Sequence, residues 1–192
     1  MANTYHSGIK TTLRNTFLVL LLAWMTAVSA AGIDIGKAET KLVDGVYQLN
    51  ADIYYTLSDE VLEALESGVL ITMRVSVKIE RVREYFWNET IDEQLHHYQL
   101  QYHALSGQYL VAHFDSTEQQ SYLSLTSALR AVGSIRNLTL VDKNAVKEGE
   151  IYLVKLNSEL DTNALPAPLR PMAWLSSEWQ LRSEWVTCPL RS

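Results

Sequence analysis

The sequence predicts a mainly β fold, an antiparallel β-sandwich or open barrel with two short α-helices. Two long stretches, 47–57 and 69–80, alternate strictly between apolar and polar residues, and turn residues recur at regular intervals after them. Period two with one polar face marks a half-buried antiparallel strand. Regularly spaced strands separated by turn signals build sandwiches and barrels. Residues 46–190 read as one such domain, preceded at 31–45 by small and polar residues without periodicity, which suggest a flexible lead-in.

The elements follow in chain order. Tyr47, Leu49, Ala51, Ile53, Tyr55 and Leu57 point one way on the first strand, with Gln48, Asn50, Asp52, Tyr54 and Thr56 on the other face. Ser58 can cap a helix over 58–67, Asp59 and Glu60 favour its positive end, and Leu57 can staple onto Leu62. Val61, Leu62 and Leu65 form its apolar stripe, and Gly68 ends it. Val69, Ile71, Met73, Val75, Val77 and Ile79 then alternate along the second strand. A hairpin follows, Leu95–Leu105 with Gln108–Phe114, about a two-residue Ser106-Gly107 turn. In that register Tyr102 faces Val111, His103 faces Leu110, and His113 faces Leu100. A second helix is expected over 116–132, capped by Ser116 with Gln119 in the capping box and closed by Gly133. Leu138–Val141 and Ile151–Leu156 read as a pair of strands joined by the polar loop 142–150. Pro166, Pro168 and Pro171 keep 161–171 extended and out of mid-sheet, and an aromatic strand is expected over Trp174–Val186.

The N-terminus carries a different signal. Lys10 and Arg14 are the only charges in residues 1–30, and the apolar run Phe17–Met25 leads through Val28 into Ser29-Ala30-Ala31-Gly32. A basic start, an apolar middle and a small-residue exit define a secretory signal, with cleavage expected between Ala30 and Ala31. The rival is an uncleaved anchor, for which the last third of the run, Thr, Ser, Ala and Gly, is too polar. No later segment is apolar enough to span a membrane. Removing residues 1–30 leaves 162 residues with 14 basic and 22 acidic side chains, a net charge of −8. Such a surface repels phosphate backbones, so nucleic acid is not an expected partner. Cys188 is the only cysteine, so no disulfide closes within the chain. Its thiol can either pair between chains or lie buried as a small apolar group. Asn88-Glu89-Thr90 and Asn137-Leu138-Thr139 match the glycosylation pattern.

No catalytic, metal or cofactor site emerges from the residues. His97 and His103 would lie about 20 Å apart along a strand, His96 and His97 point to opposite faces, and no cysteine or helical His-x-x-x-His partner is present. There is no Gly-x-Ser-x-Gly elbow and no glycine-rich phosphate loop. The aromatics are more informative. Tyr85, Phe86 and Trp87 cluster beside Arg81 and Arg83, and Trp174, Trp179 and Trp185 crowd the C-terminal region. Aromatic and Arg residues are enriched at interface hot spots, and bulky rings also seal the ends of sandwiches.

The order of several landmarks resembles the DUF4390 family of small exported proteobacterial proteins. They are Ser67-Gly68-Val69, Arg81–Trp87, Tyr102-His103-Ala104-Leu105 with Tyr109, Ser124-Leu125 with Ala128-Leu129, and Leu175–Trp179 with Trp185. Thr187-Cys188 departs from the aromatic that the family commonly carries there. The resemblance implies an exported location and no assigned activity, and it points to a membrane sensor kinase as a signalling partner. The expected function is a non-enzymatic envelope or periplasmic protein-binding module. The alternative is a small-ligand or lipid carrier with a cavity between its sheets. Mass spectrometry of the protein recovered from outside the cytoplasm should find Ala31 at the N-terminus; a chain still carrying Lys10 and Arg14 would mean an anchor instead.

Overall fold

Strand β3 (Ile71–Arg81) lies inside a six-stranded antiparallel sheet, between β4 (Glu89–His103) and β8 (Tyr152–Leu160). The computed structural model describes residues 31–113 and 118–191. Residues 1–30, with the expected export signal and Ala30, lie outside them, as do Phe114 and the expected helix cap Ser116. The sheet order is β6-β5-β4-β3-β8-β9, adding β5 (Gln108–His113), β6 (Gln119–Tyr122) and β9 (Val186–Pro189). A second sheet, β1-β2-β7, holds β1 (Gly32–Val43), β2 (Val46–Thr56) and β7 (Ser134–Asp142). Three short α-helices, α1 (Asp59–Glu66), α2 (Leu125–Gly133) and α3 (Arg170–Leu175), and 3-10 turns at Lys143–Ala145, Thr162–Ala164 and Ser177–Trp179 complete the described elements. The architecture is that of a β-sandwich without barrel closure.

Alternation decides which side of each strand is buried. On β2, Tyr47, Leu49, Ala51, Ile53 and Tyr55 are buried; on β3, Met73, Val75, Val77 and Ile79 are. These two faces, with Val154 and Leu156 of β8, form the core. Tyr55 and Ser158 bridge the two sheets, with 3.0 Å between their hydroxyl oxygens. Burial pushes the Tyr55 hydroxyl well above its ordinary pKa, against the opposing pull of Ser158. At one margin Thr40 Oγ1 donates to the Pro189 carbonyl at 2.9 Å and accepts from Arg191 N–H at 2.9 Å, tying β1 to the C-terminal segment. Elsewhere Gln94 Nε2 of β4 reaches the Leu140 carbonyl of β7 at 3.0 Å.

Several sequence expectations need correction. Residues 31–45 are not a flexible lead-in: 32–43 form β1, paired along β2 with a bulge between Ile35 and Ala38. Small and polar residues serve there because β1 is an outer strand with one shallowly buried side. The hairpin loop is four residues, 104–107, not two. The His103 carbonyl accepts from Ser106 N and Gly107 N, Gly107 takes a positive φ of 66°, and the register moves by two. Tyr102 therefore opposes Tyr109, His103 opposes Gln108, and His113 opposes Tyr98.

The second helix begins after Ser124, whose Oγ accepts from Ser127 N at 3.2 Å, while 119–122 pair with β5 as β6. Leu138–Val141 and Ile151–Leu156 do form strands, but they join different sheets. The expected aromatic strand over Trp174–Val186 is instead helix α3, a 3-10 turn at Ser177–Trp179, and then β9. Pro171 is placed in the first turn of α3, where its missing N–H costs nothing. Helix α1 matches its expectation, with Ser58 Oγ accepting from Val61 N at 3.3 Å.

Helix α2 presses end-on against β2. A Cβ added at Gly133 would lie 1.9 Å from the Ile53 carbonyl oxygen, so no other residue fits without moving backbone. Gly133→Ala should destabilise the protein by about 1–3 kcal/mol and lower its melting temperature by several degrees. Thermal denaturation checks this, and a variant melting with the wild type would show that α2 can step away from β2.

Candidate functional site

The connection between β3 and β4 carries the largest run of exposed aromatic surface in the described chain. Tyr85, Phe86 and Trp87 are 87, 75 and 92 % exposed, so they do not plug the sandwich. Their base is held by charge. Glu89, the first residue of β4, forms ion pairs through Oε2 with Arg81 and with Arg83. Arg81 Nε also lies 3.4 Å from Glu150 Oε2, an ion pair without hydrogen-bond geometry. Glu80 Oε2 accepts from Asn88 Nδ2 at 3.1 Å and pairs with Lys155 Nζ at 3.0 Å. Val82 N donates to the Ile151 carbonyl at 2.9 Å, which fixes the third side of the base. The loop is thus clamped at both ends while its rings stand in water.

The C-terminal tryptophans do not form one patch. Trp179 is buried, its Nε1 donating to Glu60 Oε2 at 2.9 Å, and it seals the core beside α1. Trp185 is half-exposed, with Lys78 Nζ 5.5 Å from its ring centroid. Trp174, on α3, is 58 % exposed and walls a groove of about 610 Å³.

The floor of that groove was not legible as a site in the sequence. Arg74 of β3 faces Glu159 of β8 in register, and Arg182 bridges to Glu159 from the other side. Glu159 is buried, with Oε1 paired to Arg74 and Oε2 to Arg182. The only available signal was Arg74 on the polar face of the clearest alternating strand. Its partner stood beyond Leu156, where the sequence pattern no longer looked like a strand.

Histidines come closer than expected. The two-residue shift places the His113 and His96 rings 5.9 Å apart, with Tyr98 edge-on to His113 at 4.7 Å. His97 lies on the opposite face, across from Arg74. Among the described residues no group of three or more His, Cys, Asp or Glu is arranged to hold a metal ion. Cys188 is buried opposite Val154, and burial pushes its thiol pKa up, so it is a poor nucleophile in the folded state. Among the described residues no helix is long and apolar enough to cross a membrane.

Hydrogen bonds from Arg83 and Arg81 hold the Glu89 carboxyl below the ordinary carboxylate range. A depressed folded-state pKa contributes stability that is complete above the unfolded value and is lost as pH falls through the folded one. The aromatic loop should therefore stay clamped at neutral pH and loosen only as pH falls below the ordinary glutamate range. Amide hydrogen exchange across 82–88, corrected for intrinsic rates, measures this. Glu89→Gln should already exchange faster at pH 7 and show no further acid step.

Searches of curated proteins and of solved structures returned no match. The family model described as a domain of unknown function, DUF4390, matches residues 30–189, from the start of the described fold to the end of β9. The chain belongs to the DUF4390 family.

Proposed function

We propose that the chain is an exported, non-enzymatic protein of the cell envelope that binds another protein through Tyr85, Phe86 and Trp87. The observation that carries this reading is the combination of near-full exposure of the three rings with a clamped loop base. Exposed aromatics of this size cost solvation and gain most when a partner covers them. A loop ordered before binding also loses little conformational entropy on docking. The extracytoplasmic part of a membrane sensor kinase, suggested by the family resemblance, is the partner to test first. The carrier alternative has less support, because the facing residues of β2, β3 and β8 fill the space between the sheets.

Affinity capture from envelope extracts, with wild type and with Tyr85, Phe86 and Trp87 all replaced by Ala, tests the reading. The triple variant should keep its melting temperature and bind its partner at least about 30-fold more weakly, the loss expected from removing one or more hot spots. Recovery of the same proteins by both forms would sink the idea. A lipid that raises the melting temperature of the wild type would favour the carrier instead.

A further inference from the structure

We propose that the groove over Arg74, Glu159 and Arg182 binds a small organic monocarboxylate whose flat apolar part rests on Trp174. The groove does not depend on the aromatic loop: Arg74 and Arg81 stand seven residues apart on β3, about 23 Å at the strand rise. Its floor is a row of guanidinium, carboxylate, guanidinium that runs across β3 and β8 to the isolated bridge at Arg182. Glu159 is locked, its side chain 9 % exposed and each oxygen committed to a different arginine. That arrangement fixes Arg182 at one nitrogen and leaves the rest of a side chain that is 68 % exposed. A guanidinium has five donors in a planar fork, so Arg182 keeps donors to spare, and a carboxylate is the group that matches the fork.

The remaining lining narrows the ligand further. Two guanidinium groups face one buried carboxylate and Asp161, whose Oδ1 already accepts from Asn163 N at 3.0 Å. Two arginines and two carboxylates leave the lining neutral, so recognition rests on the spare fork donors of Arg182, and a monocarboxylate adds less uncompensated charge than a dianionic phosphate. Gln180 Nε2 donates to the Trp174 carbonyl at 3.2 Å, tying that wall to the 3-10 turn. The exposed indole offers a flat apolar surface beside the charged floor. At about 610 Å³ the groove accommodates a molecule of roughly two or three residues, within the usual range of small-ligand sites.

The test uses N-acetyl-L-phenylalanine and its neutral amide as probes, titrated into the purified protein while the Trp174 indole and arginine Nε resonances are followed by NMR. The carboxylate should shift these resonances and bind at least tenfold more tightly than the amide. Arg182→Gln should abolish that preference when read well below its melting temperature, which falls because buried Glu159 loses one of its two partners. Arg182→Lys, which keeps the charge without the fork, should retain part of it, and Trp174→Ala should weaken both probes. The proposal is overturned if neither probe moves the indole resonance, if acid and amide bind alike, or if Arg182→Gln keeps the preference.

Discussion

Burial of one face of β3 is the constraint on which the rest of the molecule depends. Met73, Val75, Val77 and Ile79 are sealed from solvent, and the strand is bonded to neighbours on both edges. Because side chains alternate, sealing that face forces Arg74, Lys78 and Glu80 onto the other one. The charged outer surface is therefore a by-product of core formation. The Arg74–Glu159 floor grows from it directly, and at the other end of the strand Glu80 helps to hold the aromatic loop from it, while Arg81 leaves β3 at a core-side position.

Those two ends share a motif. In each, a single carboxylate lies between two arginines: Glu89 between Arg81 and Arg83, and Glu159 between Arg74 and Arg182. The settings differ in exposure, and so in what the motif contributes. Glu89 is partly open to water, where screening keeps the pairs weak and the effect is mainly to orient a loop. Glu159 is nearly dry, so losing either arginine would leave an under-compensated buried charge. The same three charges make a tether in one place and a rigid floor in the other.

How much of this could be read from sequence depends on how local the cause is. The faces of β2 and β3 and the cap of α1 were legible, since alternation and Ser58 act within a few residues. Strand β1 was not, because an outer strand needs only shallow burial and its small, polar residues look like a linker. The hairpin register failed by two because a Ser-Gly pair fits either a two-residue turn or the end of a longer one. The contact of His96 with His113 disappeared from view with it. The aromatic loop was visible as composition, but its exposure was not. The Arg74–Glu159–Arg182 row joins residues more than a hundred positions apart and left no mark that spacing could reveal.

The clasp between Thr40 and the backbone of Pro189 and Arg191 has a consequence for how the chain is assembled. The first strand is clasped by residues about 150 positions further along the chain, and β3 waits for β8. A polypeptide emerging from its N-terminus, from the ribosome or through a translocation pore, can form the β1–β2 hairpin early but cannot close the sandwich until β8, β9 and Arg191 have appeared. Throughout that interval the apolar faces of β2 and β3 lack their covers, which is when such chains are most prone to aggregate. Threading speed and holding chaperones should therefore shape the yield of this protein as much as its final stability does.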